Sequence, residues 1–93
     1  TYYSLSRLKV NHQIEPFIVQ YPVIEKESTR LFDHPGEEFL FVLEGEMELV
    51  YDKERIRLET GDAIHFDSSV PHRGQNTGRH VSECLVIVIN QEV

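Results

Sequence analysis

The chemistry this sequence can offer begins with two imidazoles and a carboxylate. His34 and Glu38 stand four residues apart around Pro35-Gly36, and His72 opens a later segment that ends at Asn76. Two imidazoles and one carboxylate are the ligand set of the facial triad, which leaves coordination positions open and suits non-haem Fe(II), with Mn, Zn or Ni as other occupants. In a regular strand, residues four apart share a face but lie about 13 Å apart along the axis. Joint contact with one ion therefore requires a bend, for which Pro35-Gly36 is well suited. His72 and Asn76 repeat the same spacing and would bring a second imidazole toward the first pair across a barrel. The competing reading makes His34 and His72 ordinary polar residues at strand ends and Glu38 a solvated charge.

Other reactive side chains invite blander readings. His65 sits on the parity opposite Ile64 and Phe66 and is expected at the surface; His12 and His80 occupy polar, turn-like surroundings and are expected to be solvated. Cys84, beside an apolar run, reads as an inert buried thiol rather than a nucleophile. Arg73 pairs either with surface acids or with an anionic effector at the barrel mouth. Phe39, Leu40, Phe41 and Phe66 are expected to pack inside the fold.

The elements that must position these residues are short strands. Apolar and β-branched runs of four to eight residues, each closed by Gly, Asn, Asp or Pro, predict strands over 2–10, 17–24, 37–44, 46–51, 55–58, 63–66, 72–76 and 81–90. Pro22 cannot donate to a ladder and marks the second strand as an edge. Met47, Leu49 and Tyr51 alternate with Glu46 and Glu48, and Ile56 and Leu58 with Arg55 and Arg57, so a hairpin wet on one side is expected there. The nearly continuous apolar run in 81–90 suggests a strand covered on both faces. Short strands at this spacing imply a β-sandwich or barrel, which hides sheet edges.

Composition narrows the classes further. Ninety-three residues with 40% hydrophobic and 27% charged content make one globular domain, 1–93. Sixteen acidic against nine basic residues, a net charge of −7, repel phosphate backbones and anionic lipid, so this segment itself should bind neither nucleic acid nor membrane. A single cysteine excludes an internal disulfide and points to a cytoplasmic home. The chain starts at Thr1 and reads as part of a longer protein with a domain upstream.

The stretch from His34 to Asn76 resembles the cupin signature in both halves. Its first half, a His-x-His pair, then Glu, then Gly seven residues later, is similar to HPGEEFLFVLEGE, with His34, Glu38 and Gly45 in register. Its second half is similar to GDAIHFDSSVPHRGQN, with Gly61, His72 and Asn76 in register. Fifteen residues, Glu46 to Thr60, separate the halves. Two departures matter: Phe32 stands where the family has its first histidine, and Asp67-Ser68-Ser69 replaces the Pro-x-Gly turn. Asp and Ser can still form a turn by bonding nearby backbone groups.

The resemblance implies an all-β double-stranded β-helix, the small jelly-roll barrel of the cupins. It implies a pocket lined by Phe32, His34, Glu38 and His72, with one divalent metal (Fe, Mn, Zn or Ni) on His34, Glu38 and His72. An aromatic Phe32 in place of a ligand enlarges the apolar wall and favours an organic occupant. The flanking SLSRLKVNHQIEPFIVQ and HVSECLVIVIN look like the carboxyl-terminal cupin of bacterial XRE-type regulators. In these an amino-terminal helix-turn-helix reads DNA while the barrel senses a small-molecule effector and forms a homodimer. The alternative is a small metal-dependent enzyme, an oxygenase or isomerase.

Overall fold

The computed structural model of the chain describes residues 1–5 and 13–90, and eight strands carry the architecture. They are β1 (Tyr2–Ser4), β2 (Ile14–Tyr21), β3 (Glu37–Glu44), β4 (Glu46–Tyr51), β5 (Glu54–Glu59), β6 (Ala63–Asp67), β7 (His72–Asn76) and β8 (Ser82–Ile89). All pairings are antiparallel. One sheet of five strands runs β1-β2-β8-β3-β6 and faces a second of three, β5-β4-β7. This is the all-β jelly-roll barrel that the strand pattern and the resemblance imply.

Alternation decides which residues enter the core. Leu40 pairs with Val86 and Ile64, and Val42 with Cys84. These inner-face side chains meet Met47, Leu49 and Leu58 from the smaller sheet, with Val19 and Phe66 completing the buried cluster. Each such aliphatic side chain removed from water stabilises the fold by about 1.5–3 kcal/mol. Phe39 and Phe41 take the opposite parity from Leu40 and Val42 and are only half-buried, on the outer face of the larger sheet. The expectation that they pack inside is thus corrected, while Leu40 and Phe66 fill the core as expected.

Gly45 lets the chain pass from the larger sheet to the smaller one between β3 and β4. Its φ is +104°, a region that L side chains rarely adopt. A Cβ there would overlap the Ser82 side chain and stand 2.9 Å from Ser82 Cα. The Ser82 hydroxyl uses that closeness to accept from Glu46 N at 3.0 Å and donate to Glu46 O at 2.9 Å.

Several boundaries move. The second strand begins at Ile14 and ends at Tyr21, so Pro22 lies beyond it, and β2 is an inner strand between β1 and β8 rather than an edge. Of the expected first strand, Tyr2–Ser4 forms β1; residues 6–10, with His12, lie outside the described residues. β8 is a central strand whose outer side chains are half-buried rather than fully covered.

Candidate metal centre

Three separate local devices bring the candidate residues together. His34 belongs to the segment 22–36, which has no strand of its own, and its backbone is clamped by Ser68. His34 N donates to Ser68 O at 2.9 Å, and the fully buried Ser68 hydroxyl donates to His34 O at 3.1 Å. Asp67-Ser68-Ser69 does act as a turn, with Ser69 N donating to Asp67 Oδ1 at 2.9 Å and Ser69 Oγ at 2.6 Å. Those bonds hold the Asp67 carboxyl below its usual range, the side-chain bond contributing most.

Glu38 stands on the inner face of β3, opposite Phe66 and Val88. The bend at Gly36, whose φ is +106°, folds the preceding residues back over it. As a result His34 Nε2 lies 3.4 Å from Glu38 Oε1, although a straight strand would hold the two residues about 13 Å apart.

His72 opens β7 and is 7% exposed. Two 2.8 Å backbone hydrogen bonds tie it to Phe32, and its ring meets Phe66 edge-on with centroids 5.0 Å apart. Nδ1 lies 2.8 Å from the carbonyl oxygen of Val70. A carbonyl only accepts, so Nδ1 carries the proton and Nε2 keeps its lone pair. Nε2 faces Glu38 Oε2 at 3.9 Å, and the two imidazoles stand edge to face at 5.5 Å.

One donor atom from each of His34, Glu38 and His72 falls within 4.8 Å of the others. Donors about 2.1 Å from a common ion stand roughly 3.0–3.4 Å apart, so the spacing is slightly more open than a closed coordination sphere. Each contact with Glu38 is longer than a good hydrogen bond, so the three groups are not already satisfied by one another. The donor set and its backing carbonyl fit a divalent metal of the facial-triad type.

The cluster opens on a cavity of about 410 Å³ between the sheets, walled by Phe17, Val19, Val86 and Val88 and closed in part by Tyr21 and Phe32. Phe32 is 51% exposed, with the Arg30 guanidinium 5.0 Å over its ring, and it forms a lip of the cavity. Sequence reasoning picked out Phe32, His34, Glu38 and His72 and missed the β2 and β8 wall. Inward parity was the available signal, but it requires knowing which face of each strand is covered.

Other side chains fall where their blander readings put them. His65 is exposed and pairs with Glu37 at 2.7 Å, and His80 is exposed. Arg73 contributes to the lining of the cavity, and its guanidinium binds a surface acid, Glu27, at 3.1 Å. Cys84 is fully buried, and burial pushes its thiol up to about 12. Asn76, on the inner face with His72, is structural: its amide nitrogen donates to Tyr21 O and His80 O, and its oxygen accepts from Gly78 N.

A small jelly-roll barrel with imidazoles and a carboxylate converging on an internal hollow defines the class of barrel proteins that hold metals or small ligands. Residues 17–88 match the family model of the cupin domain, and the chain belongs to the cupin family. Among solved structures, Fe(II) HppE in complex with substrate superposes with a TM-score of 0.81 at 27% identity, over 94% of this chain and 52% of that one. Hydroxypropylphosphonic acid epoxidase from S. wedmorenis in complex with fosfomycin gives 0.81 at 28% identity, over 94% and 49%. A cupin superfamily protein from Desulfitobacterium hafniense gives 0.76 at 18%, over 98% and 79%, a likeness of fold alone. The chain thus spans about half the length of the HppE chains. No curated protein matches it in sequence.

Proposed function

We propose that this cupin domain holds one divalent metal ion, Fe(II) or a similar first-row ion, through His34, Glu38 and His72, and presents open coordination positions to a small oxygen-bearing ligand. The observation that carries the reading is the convergence of three donors within 4.8 Å on the wall of an otherwise largely apolar cavity. HppE, which is similar in fold and at 25–27% identity, is known in Fe(II) and Co(II) forms, and this supports the choice of metals. A bound ion of this kind would supply Lewis-acid polarisation or, as iron, oxygen chemistry. The chain's own part is to hold the Nδ1–H tautomer of His72 through Val70, to offset cationic charge with Glu38, and to keep water sparse with Phe17, Val86 and Phe32.

Elemental analysis tests the reading. Protein purified without chelator is expected to carry close to one metal ion per chain. A content below about a tenth, unrestored by Fe, Mn, Zn or Ni, sinks it.

A second reading keeps the same pocket as the sensor of a cytoplasmic transcription regulator whose helix-turn-helix precedes Thr1. The acidic balance favours a division of labour in which any nucleic-acid contact lies elsewhere. Homodimerisation belongs to this reading. It is supported by the outer face of the larger sheet, where Tyr3, Ile18, Leu85 and Phe41 stand in one row across four strands. A gene that starts at Thr1, or a monomer in sedimentation at micromolar concentration, counts against it.

A further inference from the structure

Besides the three metal donors the cavity is lined by the polar residues Tyr2, Tyr21, Ser28 and Arg73. Tyr2 is largely exposed, Ser28 Oγ accepts from Arg30 N, and the Arg73 guanidinium is taken by Glu27, which leaves Tyr21. Tyr21, the last residue of β2, lines the same cavity as His34, Glu38 and His72. Its backbone oxygen accepts from Asn76, but none of the hydrogen bonds among the described residues engages its hydroxyl. No fully buried side-chain nitrogen or oxygen among the described residues lacks a partner, so the Tyr21 hydroxyl is reachable from the cavity. Burial, with Cys84 and Glu38 nearby, pushes the phenol well above its ordinary range, which keeps it a proton donor.

Its position relative to the three donors is set by β7. The hydroxyl stands 3.5 Å from the point where a Cβ on Gly74 would lie, and Gly74 is two residues beyond His72 on the same inner face. Two residues along a strand span about 7 Å. The imidazole and the phenol therefore mark two polar points a few carbon atoms apart, with Phe17, Val19 and Val86 on the wall between them.

We propose that Tyr21 is the second recognition point of this cavity, and that the site takes a short, two-headed organic acid. One oxygen head of the ligand faces the His34, Glu38 and His72 cluster, and the other accepts a hydrogen bond from the Tyr21 hydroxyl. This rests on the metal reading above. A neutral donor to a carboxylate inside a poorly hydrated cavity is worth about tenfold or more in affinity. A one-headed acid leaves the phenol unused and gains nothing from it.

The test compares wild type and Tyr21→Phe, which keeps the ring and removes only the hydroxyl. Both are loaded with Co(II), whose visible bands report uptake and respond to ligand entry, and each is titrated with succinate and with butanoate. Expected are equal Co(II) affinities, succinate binding about tenfold weaker in Tyr21→Phe, and butanoate binding equal in the two proteins. Equal succinate affinity in both proteins overturns the role of Tyr21 while leaving the metal reading intact. Wild type that holds succinate no better than butanoate overturns the ligand class. Failure of both proteins to take up Co(II) overturns the metal reading and this inference together.

Discussion

His72 is held from behind by Val70: the Val70 carbonyl oxygen lies 2.8 Å from Nδ1, which leaves Nε2 as the free donor on the side of Glu38. Metal bound only by the native state raises stability by about 2.7 kcal/mol at a hundredfold excess over Kd. Wild type is expected to show that gain with Co(II) or Fe(II). His72→Ala is expected to show none, because one imidazole of two is gone. Thermal melts with and without metal decide it, and an equal gain in His72→Ala removes His72 from the ligand set.

Phe32 separates this chain from the family pattern, and the effect of that difference can be read by reversal. Its backbone is paired with His72 and its side chain lines the cavity. Phe32→His would add a third imidazole beside the cluster and is expected to tighten metal binding by at least about tenfold, or about 1.4 kcal/mol. Isothermal titration with Zn(II) checks this; unchanged affinity means that the side chain at 32 does not reach the ion.

Gly45→Ala tests the crossing between the sheets. The new Cβ meets the Ser82 backbone at 2.9 Å and must also adopt a φ of +104°. Backbone strain and overlap together are expected to cost about 2–4 kcal/mol. Chemical denaturation measures it. Gly61→Ala, where φ is +91° but nothing lies within 4 Å, is expected to cost less.

These positions show how far the sequence could be read. The β-strand pattern was legible because each run ended at a turn residue, and Gly45 and Gly61 were legible because a positive φ demands glycine. The inner and outer faces of β3 were not: Phe39 to Leu43 are five apolar residues in a row, so alternation leaves no trace. Only pairing with β6 and β8 shows that Leu40 and Val42 face inward. The shift of β2 has a similar origin. The expected range 17–24 leaves Pro16 just outside the strand, yet it sits within β2, paired with Ile87, and its carbonyl accepts from Leu5 N. The place of Tyr21 in the same cavity as His72 was beyond reach, since it arises from two sheets closing over one another.

Alkaline pH is expected to weaken the fold through two buried groups. Burial raises the Cys84 thiol from 9.0 to about 12 and raises the Tyr21 phenol above its ordinary 10.0. Between the unfolded and folded values the unfolded chain has lost protons that the native chain keeps, so native stability falls as pH rises past about 9. Below that the contribution is fully present. Urea denaturation from pH 8 to 10.5 is expected to show this decline, and Cys84→Ala is expected to lessen its slope. An unchanged slope in Cys84→Ala would mean that the thiol titrates alike in both states.

The segment 22–36 carries both Phe32 and His34, and before Phe32 its hold on the barrel comes largely from one side chain. Glu27 accepts from Arg55 at 2.6 Å, from Gln75 at 3.0 Å and from Arg73 at 3.1 Å, all on the outer face of the smaller sheet. The Arg55 bond, then the Gln75 bond, hold the Glu27 carboxyl below its ordinary range. Exposed pairs of this kind add little to global stability, so Glu27→Ala is expected to leave the unfolding midpoint nearly unchanged. Local opening is another matter, because the segment has few other ties until Phe32 reaches His72. Lys26 and Arg30 lie in this segment, one residue before Glu27 and three after it, and offer trypsin two cleavage points. Glu27→Ala is expected to be cut after Arg30 several times faster than wild type. Equal cleavage rates in the two proteins would show that Glu27 does not hold the segment, and that the Ser68 and His72 contacts alone keep His34 in place.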